Sequence, residues 1–244
     1  MKRLALFLFL FSFAAAAGAA NTFGYVEFVS GGATVTDPGG HSRPARVDEA
    51  ILEGETLTTT KDGELHARTE DHGLVALRGS STLKIEVFIA RGDKDDTSTL
   101  RLVAGALRAI SGWIGRYQPE RSVIKTRSAT IGIRGTDHET MVVAPGDPIG
   151  PAGTYDKVNE GATFISNDAG RVEVAPEKAG FAPHDGKTRP SVLEKVPDFI
   201  RPGANEARIK ARKEQLAKEI EERRLERQRS HEEHRRTHHR KPGA

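Results

Sequence analysis

No cysteine occurs anywhere in the 244 residues. That excludes a disulfide framework, a thiolate metal site and a catalytic thiol, and it removes the residue that a bacterial lipoprotein acylates. Aromatic residues make up 6% of the chain, with a single tryptophan, and apolar residues make up 36%. The apolar share is below that of an ordinary globular chain, so only part of the sequence can build a core. Beyond residue 20 no apolar run approaches the roughly 20 residues that a membrane-spanning helix needs. No Gly-x-Ser-x-Gly elbow is present, and no His-x-His or His-Glu-x-x-His pair occurs before the C-terminal tail. The usual signatures of a serine hydrolase and of a zinc hydrolase are therefore missing.

What is present begins with a targeting pattern. Lys2 and Arg3 form a positive n-region, Leu4 to Phe13 an apolar h-region, and "AAAAGAAN" supplies small residues for cleavage after Ala19 or Ala20. The expectation is a signal peptide over 1–20, a mature chain without a membrane span, and a periplasmic or secreted bacterial protein. The formal charge of +3 conceals a division. Residues 205–244 carry 13 Lys/Arg against 8 Glu, a net of +5, and the signal adds +2, which leaves −4 for 21–204. The alkaline balance belongs to the tail and predicts no basic groove on the folded part, and nucleic acid is not an expected partner.

From Phe23 to about Val174 short alternating runs are punctuated by turns, at Gly31-Gly32, Pro38-Gly39-Gly40, Lys61-Asp62-Gly63 and Asp71-His72-Gly73. Period-two alternation with glycine supplying φ > 0 in the turns predicts a mainly β domain of stacked or sandwiched short strands over 21–182. Pro183, Pro190, Pro197 and Pro202 then mark an extended linker over 183–204. No helix-period segment competes until Asn205. From there to about 230 the chain is rich in Ala, Glu, Lys, Arg and Leu, with Glu206/Lys210, Glu214/Lys218 and Glu219/Arg223 as i,i+4 pairs in the favourable order. A charged helix is expected, with Ile209, Leu216, Ile220 and Leu225 as a thin seam for self-association in a coiled coil. Residues 231–244 are expected to be a disordered basic tail. Its histidines, His231, His234, His238 and His239, are expected to be solvated rather than to hold a metal, since arginines interleave them.

The densest stretch is "ATIGIRGTDHETMVV", Ala129 to Val143. As a phosphate cradle it fails, because "GIRGTD" has neither a Gly-Lys-Ser/Thr triplet nor three spaced glycines, and strand follows it. As a catalytic loop it fails on geometry, because Asp137 and His138 are strand neighbours and point to opposite faces. Glu64, Glu70, Asp71, Asp137 and Glu139 offer carboxylates for a glycosidase, yet nothing in the sequence groups them in one cleft. The structural reading remains. Ile131 and Ile133 pack inward, Gly132 and Gly135 permit close approach or a bulge, and after a kink at Gly135-Thr136 the strand continues through Val143. Ile131, Gly132, Ile133, Arg134, Gly135, Thr136 and Asp137 form this structural motif. His138 is expected at an edge or partly exposed, sharing a face with Thr140 and Val142.

"VIKTRSATIGIRGTDHETMVV" resembles the signature run of the FecR domain. Upstream "GGATV", the "EGETLTTT" turn, "STLKI" and "LRLVAGALRAI", and downstream "GATFISNDAGRVEVAPEKAGFAP", are similar to that family's succession of strands over roughly 24–182. The chain departs from the pattern at Arg127-Ser128, where the family has proline, and at His138, where it has an aromatic residue. The resemblance implies a β domain without cofactor, metal or catalytic residues. The family's named regulators place this domain in the periplasm behind a membrane span and a cytoplasmic segment that controls a sigma factor. Neither segment is read in this chain. The expected function is therefore non-enzymatic binding or scaffolding of envelope proteins or cell-wall polymers, with the alternative of extracytoplasmic signalling through a separate membrane partner.

Overall fold

The computed structural model describes residues 20–238. Apart from its last position, the expected signal peptide lies outside the described residues, as does the end of the tail from His239. The described chain is mainly β, with one long C-terminal helix. The strands are β1 (Thr22–Ser30), β2 (Ala33–Thr36), β3 (Ser42–Pro44), β4 (Ala50–Leu52), β5 (Thr56–Thr59), β6 (Glu64–Thr69), β7 (Leu74–Leu77) and β8 (Thr82–Ile89). They continue as β9 (Thr97–Ile110), β10 (Ser122–Lys125), β11 (Thr130–Val143), β12 (Gly153–Asn167), β13 (Gly170–Val174), β14 (Ala179–Pro183) and β15 (Ser191–Val192). The helices are α1 (Trp113–Tyr117) and α2 (Glu206–His238). Among the described residues no helix is long and apolar enough to cross a membrane.

All fifteen strands belong to one hydrogen-bonded sheet, folded over so that its two halves face each other. One half runs β4-β1-β6-β7 and the other β3-β2-β5-β8. They join through the long strand β9, which passes from one half into the other, and the long strands β11 and β12 follow beside it. The first part of β9 pairs with β8 and β10, and its second part with β7 and β11. The first part of β12 pairs with β14, and its last part with β13. Between the halves lies the core, in which Phe23, Leu65 and Leu77 meet Leu57, Ile85 and Leu102. The rings of Phe23 and Phe88 join the halves edge-to-face with centroids 5.0 Å apart, a preferred geometry for buried aromatics.

Local expectations fare unevenly. The turns fall where glycine and proline place them, and the mechanism divides: Gly31 and Gly40 take positive φ, 60° and 88°, as expected, while Gly63 and Gly73 do not. In Asp71-His72-Gly73 it is His72 that adopts the left-handed conformation, at φ 54°, and Gly73 is needed for space, since a Cβ there would lie 2.7 Å from the Thr69 hydroxyl. The expectation of no helix before Asn205 is corrected by α1. Trp113 and Ile114 are buried, so tertiary packing of two large side chains decides a turn that propensity does not announce. The expected linker over 183–204 is irregular but not loose. β15 pairs with β14, and Ile200 and Phe199 pack on Tyr155 and Val143 at the outer face of the sheet. α2 passes the expected end at Ser230 and runs to His238.

Candidate functional site

β11 is the spine of the most chemically loaded region, and a single bulge organises it. Ile131 and Ile133 point into the core, while Gly132 and Arg134 face outward. Gly135 takes φ 59°, and the register with β12 jumps between Arg134 and Asp137. Because side chains alternate with period two, one extra residue reverses which face every later side chain occupies. Asp137 and Glu139 consequently face outward, and His138 and Thr140 face the core. Thr136 is fixed at the kink, its N–H donating to the Ser111 hydroxyl at 2.6 Å and its carbonyl accepting from Ser111 N–H at 2.9 Å.

This corrects the expectation for His138. It is neither at an edge nor exposed: β11 is flanked by β9 and β12, and His138 has 0% exposure. Its Nδ1 donates to Asp156 Oδ1 at 2.7 Å, and the same carboxylate accepts from Thr140 at 2.8 Å and Thr163 at 2.6 Å. His138 Nε2 has no hydrogen-bond partner among the described residues. A second set of hydroxyls, Thr126, Ser128 and Thr154, continues this buried polar layer with contacts of 2.7 and 2.8 Å. The histidine–aspartate pair has the composition of a general-base dyad, yet it is sealed between the sheet halves. Around Asp156 its chemistry is that of a polar core network whose acceptors are engaged, with His138 Nε2 left over.

On the outer face Asp137 is the centre. Arg108 on β9 clasps it with Nε at 2.7 Å and Nη2 at 2.8 Å, and Lys213 of α2 adds a contact at 2.7 Å and Asn159 one at 3.2 Å. Burial alone would raise the carboxyl. The hydrogen bonds and charges of Arg108 and Lys213 outweigh it and hold the group at about 2, below its ordinary 3.8. Arg108 also pairs with Glu206, and Lys213 with Glu160 at 2.6 Å. Glu139 pairs with Arg78 and stands 3.9 Å from Lys157. Except for Arg78, these residues line a cleft of about 480 Å³ between the sheet and α2.

The helix is laid across this face for much of its length. Ile209 and Leu216 pack on Leu74, Ala76 and Ile110, and Ile220 is also buried. The seam expected to serve self-association is therefore largely taken up by the protein's own sheet, with Leu225 left 41% exposed. Around it run polar contacts: Asn205 to Glu64 at 2.7 Å, Arg212 to Glu27 at 3.0 Å, and His72 to Glu219 at 2.8 Å. The guanidinium of Arg208 lies 4.4 Å from the Phe28 ring centre, and that of Arg223 lies 3.9 Å from Trp113, both within cation–π range.

The carboxylates considered for glycoside hydrolysis are dispersed among different partners. Glu64 is held by His66 and Asn205, Glu139 by Arg78, and Asp137 by Arg108. Asp71 is buried beside Thr69, and burial pushes its carboxyl above the ordinary value. A separate outward depression of about 400 Å³ surrounds Phe164, which stacks between Arg134 at 5.3 Å and Arg171 at 3.6 Å above the bare backbone of Gly132. Sequence reading gave no sign of Arg108 as the partner of Asp137. The charged residue amid the apolar run of "LRLVAGALRAI" was the available signal.

An acid titration follows from Asp137. Its folded-state value lies below its ordinary one, so its contribution is intact above about pH 4 and is lost as pH falls through about 2. The shift corresponds to a contribution on the order of 2 kcal/mol to the folded state, from Arg108 within the sheet first and from Lys213 of α2 second. Emission from Trp113 against pH, in the native chain and in Asp137→Asn, checks it. The native chain should change between about pH 4 and 2, and the variant should lack that step.

No family model matches the chain, and no curated protein matches it. Among solved structures, two crystal structures of a candidate anti-sigma factor from Parabacteroides distasonis align with TM-scores of 0.47 and 0.46 at 9% identity. Each alignment covers 59% of this chain and 62% of the other, so the chain spans less than two thirds of those structures. A cell surface anchoring domain aligns with a TM-score of 0.25 at 27% identity, over 25% of this chain and 82% of that domain. Similarity at this level leaves the function to the residues themselves.

Proposed function

We propose that this protein is a non-enzymatic binding module of the bacterial cell envelope, built on a FecR-like β domain, and that it holds another envelope protein or a cell-wall polymer. The observation that carries this reading is the disposition of its ionisable groups. Among the described residues the buried histidine–aspartate pair is sealed in the core, and the outward carboxylates Asp137, Glu139 and Glu64 are each engaged by a cation or hydrogen-bond donor that also ties the fold together. Such groups are committed to holding surfaces in place. Large β surfaces with short edge strands, such as β3 and β13, suit recognition. The signal-like N-terminus and the absence of cysteine support the location.

The test is in-cell cross-linking of the exported protein with mass spectrometry of what is captured. The expected result is a specific envelope protein or cell-wall fragment. Capture of an inner- or outer-membrane receptor would favour the signalling form of the same reading. Exclusively self-linked product, or hydrolysis of glycan or peptide that is abolished by Asp137→Asn, would overturn it.

A further inference from the structure

The face beneath α2 is built to receive cations presented by a helix. Four basic side chains of α2 each find a prepared acceptor there. Arg208 lies over the Phe28 ring, Arg212 beside Glu27, Lys213 between Asp137 and Glu160, and Arg223 over Trp113. In return the sheet offers Arg108 to Glu206 and His72 to Glu219. The apolar share of the contact is small. Ile209 and Leu216 are buried against Leu74, Ala76 and Ile110, and Ile220 is buried further along α2. Interfaces of this kind are held largely by charge, are weakened by salt, and discriminate among partners by charge pattern more than by area. The helix is also joined to the sheet through a segment punctuated by Pro190, Pro197 and Pro202, and most of its described side chains remain in solvent. A helix so polar remains soluble when it leaves.

We propose that this face is the module's partner-binding surface, that its partner is a basic amphipathic helix of another envelope protein, and that α2 is a resident occupant which such a partner displaces. This rests on the binding-module reading and names its surface. Arginine or lysine at i, i+4 and i+5 would occupy the Phe28, Glu27 and Asp137 positions, with aliphatic residues at i+8 and i+12 on the apolar strip, which is the spacing of Arg208, Arg212, Lys213, Leu216 and Ile220. An acidic helix would meet Asp137, Glu27 and Glu160 at the three cation positions and bind more weakly, although Arg108 and His72 still accept the Glu206 and Glu219 positions.

The test uses the full chain carrying Arg212→Glu and Lys213→Glu, with a synthetic peptide of residues 205–226 as the probe. Trp113 is the only tryptophan and the peptide has none, so emission reports the face directly. The expected result is a red-shifted emission in the variant. The peptide should reverse that shift saturably, at least tenfold more tightly than it binds the native chain and than a scrambled peptide of the same composition binds the variant. Should the double reversal disturb the far-ultraviolet circular dichroism, Arg212→Gln with Lys213→Gln and a salt titration of the native chain give the same reading. Unchanged emission in every released form, or equal binding of the scrambled peptide, overturns the proposal. A concentration-dependent dimer with native emission would make a second copy the occupant and overturn the heterologous partner. Failure here together with successful cross-linked capture would leave the binding module standing with its surface elsewhere. Failure of both would remove the module itself.

Discussion

Asp156→Ala is expected to destabilise the protein by about 3–5 kcal/mol, the range for removing one partner of a buried charged or strongly hydrogen-bonded pair. At roughly 2–4 °C per kcal/mol for a chain of this size, the melting temperature should fall by about 10 °C. The argument is one of orphaned donors. His138 Nδ1, Thr140 Oγ1 and Thr163 Oγ1 all donate to this carboxylate, and all three residues have 0% exposure. Alanine leaves each of them without an acceptor and without water. Asp156→Asn should cost only about 1–2 kcal/mol. The amide oxygen can replace the acceptor of His138 and Thr140, and the Thr163 hydroxyl can turn to accept from the amide nitrogen. Urea unfolding of both variants measures the difference. Equal losses would mean that the carboxylate acts through its charge rather than through its acceptors, and a negligible loss for alanine would mean that the network is not closed as described.

The same residues mark the limit of what the sequence makes legible. Alternation and turn chemistry suffice for a mainly β domain, for strand through Val143 and for the C-terminal helix. Gly135 as a kink and the inward isoleucines were equally readable, because glycine punctuates strands for a physical reason. The fate of His138 was not. Its expected exposure followed from a polar side chain standing where the resemblance has an aromatic one, on a face shared with Thr140, and the bulge at Gly135-Thr136 turns that face into the core. A sequence states that a strand bends but not how many residues the bend inserts. The pairing of Asp137 with Arg108 was hidden for another reason, since they are 29 positions apart and meet only through the β9–β11 register. The helix seam was visible as a pattern, but a pattern does not say whether a sheet or a second helix covers it.

Gly161→Ala should be the more damaging of two alanine substitutions at the β11–β12 bulge, though either glycine alone looks like a routine loop residue. Gly161 takes φ 75° and Gly135 takes φ 59°, so each alanine pays a left-handed penalty of about 1–2 kcal/mol. They differ in what the new methyl meets. At Gly135 it would find Arg116 Cγ at 3.6 Å, an ordinary contact with a flexible side chain. At Gly161 it would press into the carbonyl oxygen of Gly135 and lie 3.1 Å from Thr136 Cα, both backbone atoms. Relieving that clash means moving β12 away from the kink, and the expected total is about 3 kcal/mol or more. Gly135→Val should fall between the two, because a β-branched side chain tolerates positive φ poorly. The bulge is also what keeps Asp137 on the helix face and His138 in the core. A slip that removed it would bury Asp137 away from Arg108 and bring His138 out under α2, so the structure has no inexpensive alternative register. Denaturant midpoints for the three variants test this, with the order Gly135→Ala, Gly135→Val, Gly161→Ala in increasing loss. A Gly161→Ala protein as stable as Gly135→Ala would show that the two backbones do not meet at this point and would remove the bulge as the organiser of both faces.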